Sequence, residues 1–262
     1  MAESRIDSTK ISIITAVYNR AETLGDAIKS LQNQTYPAVE HIIQDGGSTD
    51  GTLDLIGCLM NKSIILKSQK DDGIYDAINR GIARSTGGII GLMHSDDFYA
   101  SPLVLEKVAA AFLDPLVDGV YGDLQYVSST DPQRSIRYWR SGRCTMRNIA
   151  FGWMPPHPTL FLRREIFDRW GSYDAELRIA ADYDAMLRWI VKGRIRLIYI
   201  PQVLIKMRVG GESNRSLKQI VRKSREDYVA IKRNGVGGMV TLLAKNLRKI
   251  PQFVRPDGRP VP

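Results

Sequence analysis

The sequence predicts an α/β fold, a mostly parallel central sheet flanked by helices and followed by a basic C-terminal helical tail. Three observations carry the α/β part. Short Ile-rich runs at Ile11–Ala16, Glu40–Gln44, Ile64–Lys67 and Ile89–Leu92 have the length of strands. Two are nearly all apolar, as strands buried on both faces of a parallel sheet are. Helical patterns separate the runs, which makes βαβ units. A polar cluster follows each run, where open α/β sheets hold their ligands.

The elements follow in order. Leu24, Ala27, Ile28 and Leu31 repeat at i, i+3, i+4, i+7, and Ile74, Ile78 and Ile82 recur every four residues; both are amphipathic helices. Pro102–Leu113 reads as a further helix, with short strands near Gly119–Tyr121 and Leu124–Val127. The polar, Arg-rich segment Ser128–Pro158 reads as a long functional loop. Thr159–Leu162 returns to strand, Tyr183–Val191 to helix and Ile195–Ile200 to strand. No internal repeat or low-complexity segment is present.

The 262 residues are 44% hydrophobic and 25% charged, which fits one globular domain with a short appendage and excludes a largely disordered or fibrous chain. Apolar runs such as Ile11–Val17 fall far short of the ~20 residues that span a bilayer. The opening MAESRIDSTK has no apolar core of a secretory signal, so the expectation is a cytoplasmic chain, peripheral to the inner face of the cytoplasmic membrane. Cys58 and Cys144 stand far apart, which argues against a disulfide framework or a zinc site.

Charge is unevenly placed. From Val203 to Pro262 there are 14 Lys and Arg against 4 Asp and Glu, which leaves 23 against 24 in the first 202 residues. Within the tail, Leu217, Ile220, Val221, Tyr228 and Ile231 form one stripe. Met239, Leu243, Leu247, Ile250 and Val254 form a second. Two packed helices and an amphipathic surface over residues 217–254 lying on anionic membrane both fit. Nucleic acid is not expected, because no stacking motif or zinc module accompanies the charge. The expected organisation is a domain over residues 1–213 and a tail over 214–262.

Four polar clusters are candidates for chemistry: Thr15–Arg20, Asp45-Gly-Gly-Ser-Thr-Asp-Gly51, Ser68–Gly73 and His94-Ser-Asp-Asp97. Asp, Gly and Ser also make turns for local reasons, but four clusters at one sheet edge are harder to explain that way. Asp96 and Asp97 are neighbouring hard ligands of the kind that hold Mg²⁺ or Mn²⁺, with phosphate oxygens completing the shell. No GxxxxGK[ST] is present, and the first strand is followed by Val17-Tyr-Asn-Arg20 rather than GxGxxG, which argues against P-loop and nicotinamide enzymes.

Taken together, Ile11-Ser-Ile-Ile-Thr-Ala-Val-Tyr-Asn-Arg20, Asp45-Gly-Gly-Ser-Thr-Asp-Gly-Thr52, Asp72-Gly-Ile-Tyr-Asp-Ala-Ile-Asn-Arg-Gly81 and Ser95-Asp-Asp97 resemble the family-two inverting glycosyltransferases of GT-A fold. His157-Pro-Thr-Leu-Phe-Leu-Arg-Arg164, Ala181-Asp-Tyr-Asp184 with Arg188-Trp189, and Arg208 near Gly210-Gly-Glu-Ser213 extend the likeness over most of the chain. Bacterial enzymes of exopolysaccharide, O-antigen and glycolipid synthesis share the Asp-Gly-Ile-Tyr-Asp-Ala wording.

The resemblance implies roles. Thr15, Ala16 and Val17 line the nucleotide, Asn19 and Asp72 belong to the donor site, and Asp45 accepts hydrogen bonds from a uracil or guanine base. Asp97 is the metal ligand and Asp96 lies near the donor sugar or ribose. Asp182 is the catalytic base, with Asp184 as the spare. An Asp at a helix start is also a favoured N-cap, so a structural role competes. Many relatives carry Asp where this chain has His94 and Arg where it has Ile78. Diphosphate binding therefore passes to Arg80, Arg163 or Arg208, the last ranked highest because a Gly-Gly loop follows it. Trp153 and His157 fall on the acceptor side, where Trp153 either stacks on a sugar or packs in the core.

The implied function is transfer of a sugar from a UDP- or GDP-linked donor to a glycan or polyprenyl-lipid-linked acceptor, with inversion. A sugar nucleotidyltransferase and a non-catalytic membrane-docked scaffold are the alternatives.

Overall fold

A computed structural model describes residues 7–209 and 217–247. Four strands make the parallel half of a nine-stranded sheet: β1 (Asp7–Val17), β2 (Val39–Asp45), β3 (Ile64–Ser68) and β4 (Gly87–Leu92), side by side in the order β3-β2-β1-β4. Their connections are α1 (Leu24–Gln32), α2 (Thr52–Leu59) and α3 (Ile74–Arg84). Val17 pairs with Asp45 and Asp45 with Ser68, so the first three strands end level and their polar clusters share one edge.

The alternation of β1 divides the core. Ile11 and Ile13 join a layer with Ala27 and Leu31 of α1 and the helix α4 (Val104–Ala111). Ile14 and Ala16 face the opposite layer with Ile78 and Ile82 of α3, as a period of two requires. A Cβ on Gly81 would stand 2.4 Å from the Ile14 side chain; glycine lets α3 lie close against the sheet. Ile74, the third member of the predicted stripe, is 45% exposed at the start of α3.

Beyond β4 the sheet becomes mixed, continuing β8-β6-β9-β5. β5 (Asp97–Tyr99) pairs antiparallel with β9 (Leu197–Arg208), and β6 (Gly119–Val127) runs parallel to β9. The two short strands expected near 119–127 are one strand with a register shift at Gly122–Asp123. There the buried Asp123 accepts hydrogen bonds from Tyr138 Oη, Ser141 N and Tyr199 Oη. The segment Ser128–Pro158 is not irregular throughout. It contains β7 (Ser135–Trp139), antiparallel to β6, and a helical turn α5 (Met146–Ala150). A 3-10 turn at His157–Thr159 leads to β8 (Phe161–Arg163) and α6 (Arg164–Trp170). Edge pairing overrides a polar composition that reads as loop.

The helix expected from Tyr183 is α7 (Ala181–Leu187), extended by a π-helical turn over Arg188–Lys192. Two more helices follow, α8 (Leu217–Arg233) and α9 (Met239–Leu247). Both pack on the domain. Ala230 and Ile231 are fully buried in the α3–α7 layer, with Leu242 beside them. Lys245 pairs with Asp227 at 2.6 Å, both nearly buried, and its ammonium sits 3.3 Å from the centre of the Tyr183 ring. Of the expected stripes, Tyr228 and Ile231 turn inward, whereas Ile220, Val221, Met239, Leu243 and Leu247 are exposed. The second stripe's Ile250 and Val254, and the boundary at 213/214, lie outside the described residues. No described helix is long and apolar enough to cross a membrane.

Candidate active site

The level strand ends enclose a cavity of about 490 Å³ lined by Tyr18, Gly46, Gly47, Lys70, Asp71, Asp72, Gly73 and Arg178. Its walls are turns held by their own hydrogen bonds. Asp45 is fully buried and accepts from Gly47 N (2.9 Å), Ser48 N (3.1 Å), Ser48 Oγ (2.5 Å) and Ser68 Oγ (2.6 Å). It is the keystone of the 45–48 turn, and its oxygens are taken by the protein. Asn19, at φ +50°, accepts from Thr49 N through its amide oxygen and donates its own N–H to Ser48 Oγ. This ties the loop after β1 to the loop after β2. Thr15 is buried with its hydroxyl 2.9 Å from His41 Nε2, and Val17 packs against Leu24 and Ile28. Of the three residues expected at the nucleotide, only Ala16 is half-buried, on the α3 side. Asp72 lines the cavity as expected, with its N–H donating to Asp76.

The arginines ranked for the diphosphate are all occupied. Arg80 bonds Asp76 and the Lys70 carbonyl, and Arg163 donates to the carbonyls of Val117, Phe112 and Asp114. Arg208, 8% exposed, donates to the Asp96 carbonyl, pairs with Asp26 of α1 and lies over the Phe98 ring. It anchors the turn that carries Asp96. Lys70 and Arg178 are the cations lining the cavity. Both are exposed, and neither side chain has a hydrogen-bond or ion-pair partner among the described residues. Reading the sequence missed both, although Arg178 stands only four residues before Asp182.

His94 lies between the two groups of carboxylates. Burial lowers its pKa, and the carboxylates of Asp96 and Asp182 both oppose that shift. A chain of contacts links the 94–97 turn to the start of α7: the rings of His94 and His157 are 6.0 Å apart, His157 Nε2 is 2.9 Å from Tyr173 Oη, and Tyr173 stacks on Tyr75, whose hydroxyl is 3.4 Å from Asp182. Asp96 is half-exposed there, whereas Asp97 is fully buried and neither of its oxygens has a hydrogen-bond partner. Burial and the Asp96 charge push the Asp97 carboxyl well above the usual carboxylate range, against the pull of Arg208.

Asp182 is half-buried, and its Oδ1 lies 2.7 Å from Tyr183 N and 3.4 Å from Tyr75 Oη. It is not the N-cap of α7; that position is Ala180, which has no side chain to cap with. The N–H groups of Ile179 and Ala180 are satisfied instead by Glu226 Oε2 of α8, at 2.7 and 3.0 Å. Tyr75 Oη donates to the Ile179 carbonyl at 3.0 Å, and burial raises its pKa well above the ordinary value. It stays a proton donor beside Asp182.

The acceptor-side residues are set deeper. Trp153 is buried, donates to the Ser141 carbonyl at 2.8 Å and packs edge-on against Tyr121. His157 is buried 2.9 Å from Tyr173 Oη, and burial holds its pKa down to about 4. Asp184 is buried and accepts from Asn234 Nδ2 at 2.9 Å, which fastens α8 to α7. Among the described residues no group of three or more His, Cys, Asp and Glu could hold a metal ion.

The fold of the chain has counterparts in solved glycosyltransferases. Staphylococcus aureus TarS 1–349 in complex with UDP superposes with a TM-score of 0.66 at 22% identity, over 95% of this chain and 74% of that one. The mannosyltransferase PcManGT from Pyrobaculum calidifontis, in complex with GDP-Man and Mn²⁺, superposes with a TM-score of 0.65 at 16% identity. That match covers 100% of this chain and 80% of the other.

The fold is thus that of the GT-A glycosyltransferases. Residues 12–171 match glycosyl transferase family 2, and the chain belongs to that family. A PGL/p-HBAD biosynthesis glycosyltransferase of Mycobacterium bovis (strain BCG / Pasteur 1173P2) is 32% identical over 181 residues, 68% of either chain. An uncharacterized glycosyltransferase of Nostoc sp. is 34% identical over 125 residues, 47% of this chain and 38% of the relative.

Proposed function

We propose that this glycosyltransferase moves a sugar from a UDP- or GDP-linked donor to a hydroxyl of a glycan or lipid-linked acceptor, by single displacement with inversion, in cell-surface polysaccharide or glycolipid synthesis. The observation that carries the reading is the run of ring and hydroxyl contacts from His94, beside the Asp96–Asp97 pair, through His157, Tyr173 and Tyr75 to Asp182. A base and a donor-binding acid must face the same reacting centre for a single displacement. Asp182 takes the proton of the acceptor hydroxyl as that oxygen bonds to the anomeric carbon. The bond from that carbon to the diphosphate oxygen breaks on the opposite face, so the configuration inverts. Tyr75 stays protonated beside Asp182 and orients its carboxylate.

The donor is proposed to occupy the cavity at the ends of β1–β3, where Asp72 lines the wall. Lys70 and Arg178, the cations there without protein partners, are proposed to meet the diphosphate in place of the ranked arginines. Neighbouring relatives support such a donor: TarS structures contain UDP or UDP-GlcNAc, and PcManGT contains GDP-Man. The mycobacterial relatives named for PGL/p-HBAD biosynthesis favour a glycolipid acceptor.

A divalent ion, Mg²⁺ or Mn²⁺, fits the acid pair. Asp97 carries two buried oxygens without hydrogen-bond partners, an unmet demand that a hard cation answers. Asp97 is proposed as the metal ligand, and the half-exposed Asp96 beside it as the carboxylate near the donor sugar or ribose. A bound cation would neutralise charge on the departing diphosphate.

The test is thermal stability with UDP, GDP, CMP and dTDP, each with Mn²⁺ and with EDTA. Binding to the folded state alone adds ~2.7 kcal/mol at a hundredfold excess over the dissociation constant. One nucleotide should raise the melting temperature in a metal-dependent way. Asp182→Asn should keep that shift and lose ~10²–10⁴-fold in turnover. No shift with any nucleotide at millimolar concentration would overturn the reading.

A further inference from the structure

A lysine is buried where a small helix meets the domain. α9 has nine residues, of which Thr241, Leu242 and Lys245 turn inward while Met239, Leu243 and Leu247 stay in solvent. The Lys245 ammonium lies 2.6 Å from Asp227 Oδ1 of α8 and 3.3 Å from the centre of the Tyr183 ring, and the two charged side chains are 6% and 2% exposed. Taking both charges out of water is costly, and apolar side chains of similar size often stabilise such a position as well or better. What the pair and the ring contact add is direction, because both are satisfied at one register and in one orientation of the helix.

Lys245 also touches a second wall through its backbone. A Cβ on Gly152, at φ +75°, would stand 2.4 Å from Lys245 Cβ, 2.6 Å from its Cα and 2.8 Å from its N. Glycine thus lets the turn after α5 rest directly on α9. That turn is itself held: Gly152 N donates to the Ile149 carbonyl, Trp153 N to the Asn148 carbonyl and Trp153 Nε1 to the Ser141 carbonyl. One residue therefore joins a braced turn to the Tyr183 ring.

Tyr183 carries the contact to the reacting centre. Its side chain is fully buried, and its hydroxyl has no hydrogen-bond partner. Its backbone N–H donates to Asp182 Oδ1 at 2.7 Å, closer than the Tyr75 hydroxyl at 3.4 Å. A shift of Tyr183 moves the nearer of those two donors. We propose that Lys245 is a positioning residue for glycosyl transfer: held by Asp227 and seated on the Gly152 turn, it fixes the Tyr183 ring and so the Asp182 carboxylate. The inference rests on Asp182 as the base. Consecutive residues of α8 share the task, Glu226 accepting from the N–H groups just ahead of α7 and Asp227 acting through Lys245. A misplacement of ~1 Å at a reacting group can cost ~10²-fold in rate.

The experiment compares Lys245→Met, Lys245→Met/Asp227→Asn and Lys245→Arg in the full chain. Lys245→Met alone strands a buried carboxylate and should melt well below the parent, whereas the double variant removes both charges together and should melt near it. Release of UDP or GDP is followed from UDP-glucose, UDP-galactose, UDP-GlcNAc and GDP-mannose, with water as the acceptor. The folded double variant should lose about tenfold or more in kcat while KM for the donor and stabilisation by UDP or GDP stay near the parent. Lys245→Arg, which keeps a cation over the ring, should recover most of the loss. Hydrogen exchange reads the same coupling without turnover: amides of residues 149–154 and 179–187 should exchange faster together in the double variant, with residues 11–17 unchanged. Parental kcat in the folded double variant overturns the proposal, as does a raised KM at unchanged kcat, or unchanged protection of both segments. Asp182→Asn, run alongside, separates the two readings. If it abolishes turnover while the double variant keeps the parental rate, the base stands and Lys245 falls; if it too keeps the parental rate, Asp182 is not the base and both fall.

Discussion

Asp96 and Asp97 are adjacent in sequence and differ in everything that decides their chemistry. Asp96 is half-exposed with its carbonyl pinned by Arg208, while Asp97 is sealed with both oxygens unpartnered. Burial raises the Asp97 pKa, so its folded form keeps a proton that the unfolded chain releases above the ordinary value near 3.8. Stability is therefore lost as pH rises through the folded pKa. In EDTA, Asp97→Asn should melt higher than the parent at neutral pH, with the difference shrinking toward pH 4. A lower melting temperature at neutral pH would show that the carboxyl has partners. At the other side of the cavity, Arg178→Ala should weaken UDP or GDP binding by about tenfold or more while leaving the corresponding monophosphate nearly unaffected. Equal losses for both nucleotides would assign Arg178 to the base or ribose.

At the scale of elements, α7 is a short helix whose start is built by another helix. It has no side-chain cap, and the two N–H groups just ahead of it, of Ile179 and Ala180, find Glu226 across the fold. Burial alone would raise the Glu226 pKa, but hydrogen bonds from Ile179, Arg222 and Ala180 outweigh it and hold it below the ordinary value. Glu226→Ala should cost ~1–3 kcal/mol of stability, the penalty for leaving buried donors unpaired. It should also reduce kcat while nucleotide binding stays near that of the parent, and Glu226→Gln should recover part of the loss. Weaker nucleotide binding with unchanged kcat would separate Glu226 from the base. The strands and helices of the first half were legible because each carries its own period, Ile14 with Ile42 and Ile78 with Ile82 meeting in one layer. β7 was not, since Ser135-Ile-Arg-Tyr-Trp139 pairs along one sheet edge and has no buried face to impose alternation.

For the whole molecule, acid is the informative stress. Glu40 is held at about 2 because Lys10, Ser12 and the Thr86 N–H and hydroxyl outweigh the burial that would raise it. Burial holds His41 at about 3 and His157 at about 4. All three bind fewer protons folded than unfolded. Their contributions are complete above pH 6.5 for the histidines and above 4.5 for Glu40, and each is lost as pH falls through the folded value. In Asp97→Asn, which removes the opposite titration of that carboxyl, the melting temperature should hold near neutrality and decline from about pH 6 downward, with a further Glu40→Gln flattening the part below pH 4.5. A melting temperature that rises on acidification from pH 6 to pH 4 would contradict this balance.

The sequence by itself determined the α/β class, the four parallel strands and the cluster of polar strand ends, because hydrophobic period and turn chemistry are local. It also carried the motifs that resemble family 2, and with them Asp96, Asp97 and Asp182 as the acids of interest. Only the tertiary structure decided which side chains are free to act. Asp45 and Asn19 fold the loops after β2 and β1, Arg208 pins the acid turn, and Asp184 fastens α8. A carboxylate or guanidinium reads the same in sequence whether its partner is a ligand or a distant backbone. Arg208 and Asp26 are 182 residues apart, and Glu226 stands 47 residues from the Ile179 N–H that it accepts. Those pairings are fixed by the packing of the sheet and helices, which leaves Lys70 and Arg178 facing the cavity.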